Sequence, residues 1–409
     1  MKYVILLGDG MADEPLEELG GKTPLEYART PSMDGIAARG TLGRIDTIPP
    51  GLTPGSDVAN LSVLGYDPRD FFTGRGPLEA ASMGVALGPE DTAFRCNLVT
   101  LGDGTDPVME NFNAGHISSG EARRIIESLN EGLASESVRF HAGVGYRHLL
   151  VFRNEDFALT TTPPHDIVGK ETASYLPRGT GSEKLLSMMA SAREILRNHP
   201  VNRERSASGK LPANSIWPWG EGRAPRMHPL TERFSIRGGV ISAVDLLRGI
   251  GVYAGLEILP VEGATGYTDT NYAGKAGKAL AFLAAGNDFV FLHVEAPDEK
   301  GHEGDVQGKV SAIEDFDRKI VGAVLDGLSS LGEHRIAVLS DHPTPIRIRT
   351  HAAEPSPFAL YGSGKGENLG RGIPFSEKAA REGGILIRPG HLFMEHFMGD
   401  WRRFLEDLR

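Results

Sequence analysis

Apolar positions change their spacing between the ends of this chain and its middle. Residues 3–7 (Tyr-Val-Ile-Leu-Leu) form an unbroken apolar run, the mark of a strand buried on both faces of a parallel sheet. Runs of the same kind return at Gly239-Val240-Ile241-Ser242, at residues 289–294 and at residues 335–340. Between them lie helical patterns: one through Val244, Leu246 and Leu247, an alanine-rich one over residues 271–285, and a long amphipathic one over residues 311–328. The middle reads differently. Residues 94–101 and 146–152 alternate like strands of an α+β piece. Residues 119–133 and 181–198 have helical periodicity, the latter with Leu185, Leu186, Met189, Ile195 and Leu196 on its apolar side. Residues 203–210 read as a polar, charged loop, and residues 214–223 carry two of the three tryptophans. The expectation is an α/β fold, a mostly parallel sheet sandwiched by helices with an inserted α+β domain. The sheet domain is expected to span 1–76 and 235–409, and the insert 77–234.

One stretch interrupts these patterns, Pro49-Pro50-Gly51-Leu52-Thr53-Pro54-Gly55, followed by Ser56-Asp57-Val58-Ala59-Asn60. Its prolines and glycines force a sharp turn. A helix then begins with Ser56 at or near its N-cap, where the helix dipole favours anions and phosphates. An isolated serine there is most simply a cap. A partner set elsewhere in the chain would be needed to make it a nucleophile.

Composition narrows the class. With 409 residues, 24% charged and 40% hydrophobic, the chain is ordinary globular material with room for two domains. A net charge of −11 argues against a nucleic-acid surface but leaves room for a small anionic substrate, because local arginines or metal ions can invert the field in a cleft. The single cysteine, Cys96, excludes an intrachain disulfide and suits a reducing cytoplasm. The first apolar run is too short for a signal or membrane segment. A cytoplasmic protein without membrane association is expected, and its oligomeric state is not encoded in these features.

The chemistry gathers at predicted strand ends. Asp9, in Gly8-Asp9-Gly10, closes the first run at the edge where open α/β sheets bind ligands. Asp298 and His302 follow the 289–294 run four residues apart, a spacing that converges if the segment turns helically. Asp341 and His342 follow the 335–340 run, and His351 lies in a Pro/Arg-rich loop beyond them. Mixed Asp and His ligands without cysteine suit a divalent ion, Mn²⁺, Zn²⁺, Mg²⁺ or Co²⁺. The set exceeds what one four-coordinate ion needs, so two ions are expected, an arrangement able to bind both sides of an in-line phosphoryl displacement. One of them would activate the Ser56 hydroxyl. A Ser-His-Asp triad lacks its Gly-x-Ser-x-Gly elbow here, and no Walker or dinucleotide glycine fingerprint stands out. His293, inside an apolar run, reads as a buried structural histidine.

Taken together, Gly8-Asp9-Gly10, Pro54-Gly55-Ser56-Asp57-Val58-Ala59-Asn60, Leu64-Gly65-Tyr66-Asp67-Pro68, Thr73-Gly74-Arg75-Gly76-Pro77, the 298–302 segment and Ser340-Asp341-His342 resemble the archaeal-type, 2,3-bisphosphoglycerate-independent phosphoglycerate mutases of the alkaline phosphatase superfamily. The resemblance runs in order along nearly the whole chain. It implies an isomerase of glycolysis and gluconeogenesis that interconverts 2- and 3-phosphoglycerate through a phosphoserine at Ser56, without 2,3-bisphosphoglycerate. It implies one metal held by Asp298, His302 and His351 and a second by Asp9, Ser56, Asp341 and His342, with an insert that clamps the substrate. Such an enzyme must hold the released acid and exclude water, so Arg75, His116, Arg147, His165 and Arg223, with Lys275 of the sheet domain, are the expected substrate groups. A bacterial branch of the same family is proposed to act as homoserine kinase. That reading, and a phosphatase or phosphodiesterase of the same superfamily, share the expected core.

Overall fold

The structure, a computed structural model, describes residues 1–407. The chain forms two compact units: Met1–Phe72 with Arg226–Arg409, and Thr73–Pro225. In the first, eight strands make one sheet: β1 (Lys2–Gly8), β2 (Thr41–Ile45), β3 (Gly238–Ile241), β4 (Glu257–Ile258), β5 (Phe289–Val294), β6 (His334–Leu339), β7 (Ser356–Gly362) and β8 (Leu386–Ile387). Their order is β4-β3-β5-β1-β6-β7-β2-β8. β1 lies parallel between β5 and β6, and only β7 runs antiparallel to its neighbours. Val4, Ile5, Leu6 and Leu7 are fully buried, as a strand covered on both faces requires. Valines, leucines and isoleucines of these strands pack against the helices Tyr272–Ala284 and Val306–Phe316 in the main core. The fold class is therefore the one expected, an α/β sheet flanked by helices.

Two local expectations need correction. The 311–328 helix begins earlier, at Val306, where the Asp305 side chain caps it, and passes through a π-helical turn at Asp317–Gly322 before ending at Leu328. Residues 203–210 are not one loop: Pro200–Ala207 is a helix, with Pro200 at its first position and the His199 ring accepting from Val201 N. Its inward positions are Val201, Asn202 and Arg205. A helix that buries an amide and a guanidinium shows no apolar stripe, which is why its periodicity is hidden. Arg205 is satisfied inside by Glu121 Oε2 at 2.9 Å, Ala114 O at 2.6 Å and Leu211 O at 2.8 Å.

The second unit is built on a sheet of Thr92–Leu101, Met109–Asn111, Val138–His141, Arg147–Phe152 and Ser215–Gly222, backed by the helices Ser119–Leu133 and Ser182–Arg197. It has its own core around Phe94, Phe140, Phe152 and Trp217. Among the described residues no helix is long and apolar enough to cross a membrane.

Candidate active site

The central position of β1 builds the site. Gly8 pairs with Val294 and Leu7 with Leu339, so the three parallel strands end side by side. The next residues of each, Asp9, the Ala296–Glu303 helix and Ser340-Asp341-His342, must then share one sheet edge. Asp9 N donates to Val294 O at 2.9 Å and Gly10 N to Asp341 Oδ1 at 3.1 Å. Gly10 has φ +59°, and a Cβ there would meet Asp298 Oδ1 and Thr344 Oγ1 at 2.5 Å. Only glycine allows that approach.

Ser56 does not cap its helix. Gly55 is the N-cap and Ser56 the first residue of Ser56–Val63, so its hydroxyl is free to turn toward the cluster. Ser56 Oγ lies 3.2 Å from His342 Nε2 and 3.5 Å from Asp9 Oδ2, half-buried among fully buried neighbours. Asn60, one turn on, donates to Ser56 O at 2.9 Å and to Asp341 Oδ2 at 3.0 Å, tying the helix to the strand end.

Asp298 and His302 do share a helix face, His302 Nε2 lying 3.1 Å from Asp298 Oδ2. His351 joins them from its loop, with Nε2 3.0 Å from His302 Nε2 and 3.7 Å from Asp298 Oδ1. The outward ring nitrogens explain this crowding. His302 Nδ1 faces Arg349 O at 3.0 Å and His351 Nδ1 faces Pro54 O at 3.3 Å. A carbonyl only accepts, so each Nδ1 carries a proton and both Nε2 atoms are turned to the same point beside the Asp298 carboxylate. Thr344 does the same for His342. Its hydroxyl donates to Asp298 Oδ1 and can accept only from His342 Nδ1, 3.3 Å away. Histidines held by their outer nitrogen with Nε2 converging are the pattern of metal ligands.

The carboxylates point the same way. Burial, then the charges of Asp341, Asp298 and Glu295, push Asp9 well above the ordinary carboxylate range. Asp9 Oδ1 is buried without a hydrogen-bond partner. Burial would raise Asp298 too, but the hydrogen bonds from His302 and His351 and the nearby His342 hold it well below that range. The Asp298 hydrogen bond lifts His302 to about 9. An orphaned carboxylate oxygen and converging imidazole nitrogens are what a divalent cation relieves, displacing the ring protons turned toward Asp298. Among the described residues, two groupings have ligand atoms close enough to share an ion: Asp9, Asp341 and His342, and Asp298, His342 and His351.

Several supporting residues have no sequence signal beyond proximity to a motif. Thr344 is one. Lys309 is another, fully buried, with Nζ bonded to Asp13 Oδ2 at 2.7 Å, Thr344 O at 2.8 Å and Ala12 O at 3.3 Å. It ties the loop after β1 to the loop after β6. His293 is buried as expected, but its ring also meets Asp9 Oδ2 through Nε2 at 2.8 Å. Lys275 is corrected: it does not face a cleft but is buried, donating to His293 O at 3.0 Å, and that desolvation lowers it to about 8.

The remaining basic residues belong to the second unit. Arg75 and His165 gather around Trp219, the Arg75 guanidinium 5.7 Å from the ring centroid and the His165 ring 5.5 Å away. Arg95, which the sequence reading passed over, joins them at 5.0 Å and is anchored on Glu79 Oε1 at 2.6 Å. Burial and the charges of Arg75 and Arg95 together outweigh Asp166 and lower His165. The others are not drawn into this group. Arg223 is engaged by Glu90 and Asp156 at 2.6 and 2.9 Å, Arg147 is exposed over the Tyr146 ring, and His116 is exposed on a left-handed turn with φ +52°.

Comparison with known proteins gives concordant matches. Residues 37–202 match the family model described as 2,3-bisphosphoglycerate-independent phosphoglycerate mutase. A Geobacter sulfurreducens protein named probable 2,3-bisphosphoglycerate-independent phosphoglycerate mutase is 53% identical over 97% of this chain and 99% of its own length. The Methanosarcina barkeri 2,3-bisphosphoglycerate-independent phosphoglycerate mutase is 52% identical over 94% and 96%. Among solved structures, a Pyrococcus horikoshii protein aligns with TM-score 0.81 at 32% identity over 97% of both chains. The cofactor-independent phosphoglycerate mutase of Thermoplasma acidophilum aligns with TM-score 0.67 at 27% identity over 98% of this chain and all of that one.

Proposed function

The chain belongs to the 2,3-bisphosphoglycerate-independent phosphoglycerate mutases, and from that membership we propose that it interconverts 2- and 3-phosphoglycerate through a phosphoserine at Ser56, over two divalent ions. It is an isomerase that works without 2,3-bisphosphoglycerate. Asp298, His302 and His351 would hold one ion, and Asp9, Ser56, Asp341 and His342 the other, with Mn²⁺ first among the candidates. When bound, such ions lower the pKa of the serine hydroxyl and offset charge on the phosphoryl oxygens. The observation that carries the reading is the Ser56 hydroxyl, 3.2 Å from His342 Nε2 at the mouth of a cluster of ligand-type side chains.

The roles of the chain's own groups follow. Ser56 Oγ takes the phosphoryl group from one glycerate oxygen, and the same atom returns it to the other. Asn60, which donates to the Ser56 backbone carbonyl, and the Gly55 N-cap fix Ser56 on a helix start whose dipole favours the phosphate. The glycerate must stay bound while it turns, and its carboxylate needs guanidinium partners. We assign that task to the inserted unit, with Arg75, Arg95 and His165 around Trp219 as its leading group and His116, Arg147 and Arg223 behind them.

The test is a label-transfer assay. Enzyme given 3-phosphoglycerate with labelled phosphate, and no bisphosphoglycerate, should yield labelled 2-phosphoglycerate and labelled Ser56 on acid quench. Absence of both products, with ATP-dependent phosphorylation of homoserine instead, would move the assignment to a kinase.

A further inference from the structure

We propose that His293 is a positioning residue that commits Asp9 to the metal through a single oxygen, with Ser242 fixing the tautomer of the ring. The inference rests on the two-metal reading above and deepens it. The observations centre on Asp9 Oδ2, which Ser56 Oγ approaches only to 3.5 Å. His293 is fully buried in β5, next to β1, and its Nε2 is 2.8 Å from Asp9 Oδ2. A metal-binding aspartate is ionised and can only accept, so Nε2 carries the ring proton. Nδ1 must then accept, and the group facing it is the Ser242 hydroxyl at 3.2 Å. Ser242 Oγ already accepts from Val244 N at 3.0 Å, which leaves its own proton to be given to Nδ1. Lys275 Nζ donates to His293 O at 3.0 Å and pins the strand at that residue.

The consequence appears at the other carboxylate oxygen. With Oδ2 held by His293, Asp9 Oδ1 is the buried atom without a partner, 3.6 Å from His342 Nε2. A carboxylate with both oxygens free can rotate or chelate. One whose Oδ2 is held by an N–H presents the other oxygen in a fixed direction, which is how outer hydrogen bonds set the affinity of a metal site.

The experiment is a calorimetric Mn²⁺ titration of the metal-stripped full chain, for wild type, His293→Gln, His293→Asn and His293→Leu, with circular dichroism as a fold check. Glutamine can place an N–H where ring Nε2 stood, whereas asparagine places it where Nδ1 stood. His293→Asn and His293→Leu should weaken one of two Mn²⁺-binding steps by about 10–100-fold and spare the other. His293→Gln should recover most of that loss, and Ser242→Ala should weaken the same step. If His293→Leu does not fold, the comparison of the near-isosteric Gln and Asn variants decides. Wild-type affinity in His293→Asn, or equal losses in Gln and Asn, overturns the proposal. A wild-type chain that binds no Mn²⁺ overturns the two-metal reading itself.

Discussion

At the scale of single residues, Ser56 separates chemistry from scaffolding. Its hydroxyl makes no cap, and its nearest polar neighbours are His342 and Asp9. On the proposed mechanism Ser56→Ala therefore removes the reacting atom and no structural hydrogen bond of the helix. Mutase activity in a coupled assay should fall on the order of 10³-fold or more. The melting temperature should move by about 2 °C at most, as for a substitution away from caps, cores and buried networks. Activity near the wild-type level would eliminate the phosphoserine route. Thr344 and Lys309 behave differently, because each joins groups from different loops and none of their partners is adjacent in sequence.

At the scale of elements, what the sequence made legible follows burial. β1, β5 and β6 are apolar on both faces, so each is an unbroken run that reads directly as a strand, with its ligand just past its end. The Pro200–Ala207 helix was illegible for the opposite reason, since what it buries is Asn202 and Arg205. His293 was read as structural because a neighbour across the sheet, Asp9, has no trace in local spacing. The burial of Lys275 has no sequence sign because its helix is alanine- and glycine-rich around the lysines, and small residues on every side leave the inward face unmarked. The Arg205–Glu121 pair gives the hidden helix a pH signature. Burial would raise Glu121, but the Ser118 hydroxyl and amide and the Arg205 guanidinium hold it at about 2, below its ordinary 4.5. The folded state thus binds this proton less tightly than the unfolded chain. Its stabilisation is complete above the ordinary value and is lost as pH falls toward 2. Unfolding midpoints measured across that window should slope downward with acid, and Glu121→Gln should flatten this part of the slope. Glu121→Ala should cost about 1–3 kcal/mol, the range for losing a partner of a buried charged group.

At the scale of the whole molecule, the proposed ligand set spans Asp9 to His351, so ion binding would draw on three strand ends and a distant loop at once. Chelation should abolish turnover and lower the melting temperature, and Mn²⁺ should restore both. At a hundred times Kd one ion adds about 2.7 kcal/mol to the stability of the state that binds it. Hydrogen exchange should place the protection at the loops after β1, β5 and β6, and an enzyme equally active after exhaustive chelation would refute the metal requirement. The central seat of β1 also bears on biosynthesis. Its only sheet neighbours, β5 and β6, are encoded far downstream, after the whole of Thr73–Pro225. On the ribosome, where chains emerge from the N-terminus first, this apolar strand leaves the tunnel with nothing to pair with. The nascent chain must carry it without its native neighbours until most of the protein is made, so β1 is the segment a chaperone would be expected to shield, and the proposed metal centre would be among the last parts of the enzyme to come into being.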